Sequence, residues 1–358
     1  MNERPPLNVL RGRGAVSNRS GRFEMEMREA FDDGWHNEPV ETVATQVMAD
    51  VSRHVITYNS SPDLGFDRTI NPYRGCEHGC IYCYARPTHA YWGLSPGQDF
   101  ESKLFAKFDA ADVLAGELSA AKYRPALILL GANTDAYQPI EREHLITRDI
   151  LKVLLEFCHP VSTVTKSVLV LRDIDLWADL AARSLGHVTL SITTLDRKLA
   201  RAMEPRAAAP GRRLDAVRAL RQAGIPVCVN VAPIIPGLND HEIESILDAA
   251  AAAGASEAAY TLIRLPLEIK GLFHDWLETH YPDRLGKVES LIRQTRGGAL
   301  YRSGFGERMR GTGVYADLIR QRFAMAVKRC GLSRRFQDLR TDLFRVPPAP
   351  GQQLSLSV

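Results

Sequence analysis

Asn71-Pro-Tyr-Arg-Gly-Cys76-Glu-His-Gly-Cys80-Ile-Tyr-Cys83-Tyr84 gathers three cysteines into one short stretch with the spacing CxxxCxYC. Three soft thiolates from a single loop are the donor set expected for an iron–sulfur cluster. A cubane cluster takes four ligands, so three local sulfurs leave one iron open for something else. A structural zinc site is the alternative, with Cys76, Cys80 and Cys83 joined by His78 or His89. His78 sits between two of the cysteines, however, and no second CxxC or HxxxH pair follows in the sequence. Disulfides are disfavoured, because such closely spaced cysteines make awkward partners and nothing indicates a secretory context.

Outward from this loop the chain alternates short apolar runs with helical stretches, the pattern of a parallel sheet with crossover helices. Strands are expected at Thr69–Tyr73, Ala126–Leu130, Val161–Thr165, Val188–Thr193, Pro226–Val231 and Ala258–Ile263. Helices are expected near 110–121, 145–157, 174–184, 211–223 and 241–253. Apolar residues from Leu145 to Phe157 recur in three- and four-residue steps, as one buried helix face requires. Asp240 serves as a plausible N-cap and Gly254 as a stop for the last of these helices. Six strands are too few for an eight-fold barrel and enough for an open one. In barrels of that kind chemistry collects at the C-terminal ends of the strands. The cysteine loop follows the first predicted strand and so falls at that end.

Residues 1–55 read as a flexible basic arm, rich in Arg, Gly and Ser. Residues 56–270 form the α/β core. Residues 271–345 form a mostly helical extension expected to cover the barrel mouth, and 346–358 a disordered tail. Glycines 304, 306, 311 and 313 lack a preceding strand and a Gly-Lys-Ser/Thr ending, so they are turn residues rather than a phosphate loop. The composition, 45% hydrophobic and 24% charged, is that of an ordinary globular chain without a membrane-length apolar run. Met1-Asn-Glu-Arg-Pro-Pro lacks a signal-peptide core, which makes a reducing cytoplasm the expected location. Net charge is only +3, yet residues 1–22 carry five arginines against Glu3, and 302–345 carry eleven Lys/Arg against four acids. Basic ends on an acidic middle fit either a polyanionic partner or tails folded back on the body.

The loop, with its aromatic before the third cysteine, resembles the radical S-adenosylmethionine (radical SAM) superfamily. The wider pattern resembles its spore photoproduct lyase-like, or DNA repair photolyase-like, branch over about residues 68–265. The resemblance implies an α/β partial barrel, open and six-stranded, of the TIM type. It also implies that Cys76, Cys80 and Cys83 each hold one iron of a 4Fe–4S cluster, with S-adenosylmethionine chelating the fourth. Reductive cleavage of that sulfonium would give a 5′-deoxyadenosyl radical that abstracts hydrogen from a substrate. A reductant such as flavodoxin or ferredoxin is the implied partner. The organic chemistry is the cofactor's, and the protein positions it.

The resemblance also assigns the strand ends. Asn133, Thr134 and Asp135, after the second strand, stand where the family holds the methionine ammonium, though without its common glycine–glycine–glutamate form. Lys166 matches a lysine that meets the methionine carboxylate, assisted by Ser191, which shares a strand face with Thr193. Arg206 offers a two-point grip on a carboxylate or phosphate. Asn230 and Ile235, the latter in Pro233-Ile-Ile-Pro-Gly237, fall near the expected adenine and ribose site. Tyr82 and Tyr84 flank Cys83 and are expected against the cofactor. Cys158, Cys228 and Cys330 read as small hydrophobes, with Cys228 retained as a minor radical-relay candidate. No cysteine occurs in Leu130-Gly-Ala-Asn-Thr-Asp135, where spore photoproduct lyase keeps its hydrogen donor. Lesion splitting is therefore not carried over. Two readings stand: an enzyme acting on an unidentified substrate, with nucleic acid the class to test first, and a non-catalytic nucleic-acid-binding module stabilised by zinc or an inert cluster.

Overall fold

The computed structural model describes residues 9–24 and 42–348. The described strands are, in chain order, β1 (Gln46–Ala49), β2 (Ile56–Tyr58), β3 (Arg68–Ile70), β4 (Tyr73–Arg74), β5 (Lys103–Ala106), β6 (Ile128–Leu130), β7 (Val161–Thr165), β8 (Gly186–Ser191), β9 (Val227–Ile234) and β10 (Glu257–Leu262). Seven of them make one sheet in the order β10-β9-β8-β7-β6-β3-β2, and β1-β5-β4 make a second. From β3 to β10 the six neighbours of the large sheet are parallel and follow chain order, with β2 added antiparallel on β3. The outermost strands β10 and β2 do not pair, so the sheet is open.

Helices Ile146–Glu156, Ile174–Ala182, Pro210–Gln222 and Ile243–Ala252 connect successive parallel strands from β6 to β10. Each buries one apolar stripe; Ile146, Ile150, Leu151 and Leu154 form that of the first. All six residues of β8 are buried, as expected for a central strand covered on both faces. Among the described residues no helix is long and apolar enough to cross a membrane.

Three differences from the sequence reading have physical causes. The predicted strand Thr69–Tyr73 divides into β3 and β4 around Pro72, which has no N–H to give a ladder and instead accepts from the Lys107 amide at 3.0 Å. The break sends β4 onto β5 in the small sheet, and the cysteine loop follows from there. Next, residues 9–24, assigned to the flexible arm, are packed: Leu10, Arg13, Ala15, Val16 and Ser17 are buried, and β1 pairs with β5. Arg13, Gly14 and Arg19 satisfy buried polar partners instead of solvent. Residues 1–8 and 25–41 of that arm lie outside the described residues.

The extension also divides between two ends of the sheet. Its helices are Ile269–His280, Pro282–Gln294 and Val314–Arg329. Residues 299–312 lie beyond the C-terminal end of β10, where the Leu262 amide donates to the Met309 carbonyl at 2.9 Å. Residues 333–345 instead run along the N-terminal ends of the strands. There the Arg340 and Arg345 amides donate to the Ser184 and Phe157 carbonyls, and Phe344 stacks near Tyr123, Phe157 and His159. Most of the expected tail, from residue 349, is outside the described residues.

Basic ends fold back on the acidic body. Arg308 pairs with Asp63, Arg322 with Glu244 and Arg329 with Asp248, while Arg19 pairs with Asp275 and Arg22 with Glu268.

Candidate active site

The loop from Gly75 to Tyr84 emerges at the C-terminal edge of the parallel strands. Gly75 and Gly79 hold positive φ angles of 74° and 65°, turns that a side chain would strain. The loop is pinned by backbone bonds: the Cys76 amide to Phe100 O at 2.9 Å, and the Ile81 amide to Met203 O at 3.0 Å. Gln138 brackets its start, accepting from the Glu77 amide and donating to Gly75 O. Cys76, Cys80 and Cys83 are all free thiols, the first two buried. Burial raises the Cys76 thiol well above its ordinary value, with Asp135 and the neighbouring sulfurs adding to the effect. Burial likewise pushes Cys80 up to about 12, against the opposing charge of Lys166. Coordination to a metal reverses this order, because bound thiols are deprotonated, so loading the loop must release protons. Among the described residues no three His, Cys, Asp or Glu side chains converge closely enough to share one ion.

Behind the sulfurs lies a buried charge network. Arg213 and Glu204 form an ion pair, and Tyr82 and Thr193 both donate their hydroxyls to the same carboxylate. Although burial works against the charged form, Arg213 and Lys166 hold the Glu204 carboxyl below its usual range. Arg213 also donates to Ser191 O at 2.9 Å. The Lys166 ammonium sits 5.7 Å from the centre of the Tyr82 ring and has no carboxylate salt bridge among the described residues. Burial opposes its charge as well, but Cys80 and Glu204 outweigh that and keep its pKa raised.

The remaining predicted residues divide into two sets. Lys166 follows the end of β7, Ser191 ends β8 with Thr193 two residues on, and Asn230, midway along β9, is opposite Ser191 in register. Asn230 Oδ1 is buried without a hydrogen-bond partner, a vacancy in an otherwise satisfied strand. The other residues are already engaged. Asp135 accepts from Thr165 Oγ1 at 2.7 Å, the Lys166 amide at 2.9 Å and the Tyr137 amide at 2.9 Å, and pairs with His78 Nδ1 at 3.2 Å. Burial would raise this carboxyl, yet His78 and those donors bring it down to about 2. Its lone pairs serve the end of β7, its own turn and, through His78, the cysteine loop, leaving little for an ammonium. Thr134 donates to Tyr73 O, while the Asn133 amide donates to Asn71 Oδ1. Arg206 pairs with Glu77 at 2.7 Å. Ile235 is fully buried in the apolar cluster that contains Cys80, Ile81 and Tyr82. Tyr84 donates to Ala132 O and lies 4.7 Å beneath the Arg264 guanidinium.

Sequence reading missed Glu204 and Arg213 as a pair, and missed Arg86 with Glu101. The first carried a signal: an acid before Pro205 and an arginine nine residues on, both in the crossover between two strands. Arg86 and Glu101 carried none: apart from each other their partners are backbone groups, which have no residue-type signature, and those of Glu101 are amides far away in the chain.

Comparison with known proteins fits this arrangement. A model of the Radical SAM superfamily matches residues 70–250. An uncharacterized protein of Mycobacterium tuberculosis is 36% identical over 233 residues, covering 64% of this chain and 68% of its own. One from Methanocaldococcus jannaschii is 31% identical over 227 residues, covering 61% and 78%. Among solved structures, spore photoproduct lyase complexed with dinucleoside spore photoproduct is similar with a TM-score of 0.57. It is 18% identical, with 80% of each chain covered, a likeness of fold alone. Three free thiols on one strand-end loop together with the family match lead to one conclusion: the chain belongs to the radical SAM superfamily, as an enzyme whose cofactors are a 4Fe–4S cluster and S-adenosylmethionine.

Proposed function

We propose that Cys76, Cys80 and Cys83 hold the cluster and that residues at the ends of β7 and β8 and midway along β9 hold S-adenosylmethionine, for reductive cleavage and hydrogen abstraction from a substrate. The observation that carries this is the juxtaposition of the three thiols with Lys166, a cation lacking a salt-bridge partner among the described residues. When bound, the pair of cofactors supplies a 5′-deoxyadenosyl radical on receipt of an electron. Radical SAM enzymes need a reductant, and flavodoxin or ferredoxin in a reducing cytoplasm would serve. Lys166 neutralises the methionine carboxylate as a point charge. Asn230 offers Oδ1 to a ribose hydroxyl, and Ser191 supports it from the neighbouring strand. Glu204 and Arg213 fix Tyr82 and the base of Lys166 without touching the cofactor.

The six parallel strands act as an open partial barrel within a core of residues 56–270, and 271–345 act as an appended extension. For substrate we favour an aromatic polyanion, with nucleic acid first. Tyr84 under Arg264, and Phe305, 61% exposed under the Arg308 guanidinium, put flat rings and cations at the same mouth. Lesion cleavage is not part of this proposal, because residues 130–135 hold no cysteine to return a hydrogen atom.

Anaerobic reconstitution tests the reading. Brown protein with about four irons per chain that releases 5′-deoxyadenosine under dithionite is expected, and Cys80→Ala should abolish both properties. Colourless wild-type protein holding stoichiometric zinc would favour the binding module instead.

A further inference from the structure

The N-terminal segment lies against the cysteine loop, outside the residues matched by the family model. Both ends of the loop are held through it. The amides of Gly14 and Ala15 donate to Glu101 Oε2 and Oε1 at 2.8 and 2.9 Å. Glu101 is fully buried and pairs with Arg86, whose guanidinium in turn donates to Cys80 O at 2.9 Å and Gly79 O at 3.1 Å. Arg13 reaches the other end: it donates to Thr45 Oγ1 at 3.0 Å, and Thr45 donates to Glu77, the residue after Cys76. Contact is direct as well. A Cβ on Gly14 would stand 1.8 Å from the Gly79 carbonyl oxygen, and one on Gly79 would stand 2.7 Å from Glu101 Oε2. Only two glycines can meet there. Farther along, Ser17 and Arg19 anchor the segment on Asp275, at 2.9 and 2.8 Å.

We infer that residues 13–17 are a strap that holds the cysteine loop in its ligand-presenting conformation, with Gly14 and Glu101 as positioning residues. An unfastened loop would keep its cysteines but lose their common orientation, since the Glu101 carboxylate behind Arg86 would lose the two strap amides that orient it. The strap would also cover one side of whatever the loop binds. The inference about loop order stands on the metal-free protein. Only its consequence for cluster retention rests on the cofactor assignment above.

Hydrogen–deuterium exchange on the full chain without metal, wild type against Gly14→Val, decides it. The loop amides of Cys76, Glu77, Gly79, Ile81 and Cys83 all have acceptors. We expect peptides spanning 76–83 to exchange at least about tenfold faster in the variant, with β7 to β9 unchanged. Asp275→Asn, which loosens the strap from its far end, should shift the same peptides in the same direction and serves if Gly14→Val does not fold. In reconstituted protein, chelator bleaching of the visible absorbance should accelerate at least about tenfold in either variant. Loop peptides that stay protected while residues 9–24 exchange freely would overturn the strap. If wild type takes up no cluster, the cofactor assignment fails and the exchange result still decides.

Discussion

Replacing Asp135 by Asn tests whether the cysteine loop is fastened to the sheet through one buried carboxylate. Its two oxygens accept from Thr165, Tyr137, Lys166 and His78. A carboxyl held at about 2 instead of 3.8 is worth about 2 kcal/mol to the charged folded form. An amide of the same shape loses that charge and points an NH₂ at donors on one side, leaving a buried N–H opposed, at about 1–3 kcal/mol. These contributions overlap, so we expect about 3 kcal/mol of destabilisation at pH 7. Urea unfolding of the metal-free protein, followed by tryptophan fluorescence, measures it. The sign with pH is fixed by the depressed folded value. The carboxylate's contribution is complete above the unfolded value of 3.8 and is lost as pH falls towards about 2. Between pH 5 and pH 3 the gap between wild type and variant should therefore narrow by about 1 kcal/mol. A gap below about 0.5 kcal/mol at pH 7, or one that widens on acidification, would refute the reasoning.

Glu204→Gln leaves the buried Arg213 without its counter-charge and should cost about 3–5 kcal/mol, read as a lower thermal midpoint of the metal-free protein; an unchanged midpoint counts against the network. Asn230→Ala removes an unpartnered buried oxygen and should cost the fold under about 1 kcal/mol while weakening S-adenosylmethionine binding to loaded protein about tenfold. Equal affinity by calorimetry would remove Asn230 from the site. Lys166→Met should weaken the same binding at least about tenfold, with little effect on affinity for 5′-deoxyadenosine, which lacks the carboxylate. Equal losses for both ligands would contradict the charge role.

Local periodicity and composition made much of the core legible. Val161–Thr165 is a strand at its expected bounds, four of the other five predicted strands each overlap one observed strand, and Thr69–Tyr73 overlaps two. Apolar runs bounded by turn residues identify buried parallel strands without reference to distant partners. Pro72 carries a readable break inside Thr69–Tyr73, because a proline has no N–H to give a ladder. The small sheet escaped notice because β1 and β5 are four residues each, joined across the cysteine loop. In the candidate site, Cys76, Cys80 and Cys83 stand out in the sequence by residue type and spacing, and Lys166 by the family resemblance. The roles of Asp135 and Glu204 do not, since a carboxylate that accepts from four buried donors looks in sequence like any turn acid. The arm misled for the same reason: Gly14 is punctuation in a sequence and a contact surface in the fold.

The run of residues 333–345 along the N-terminal strand ends has a practical consequence. The described chain finishes at residue 348, on the side of the sheet opposite the three sulfurs. A fluorophore, bead or affinity handle attached near there would leave the mouth unobstructed. Placed near residue 9 instead, the same handle would pull on the segment that grips Glu101.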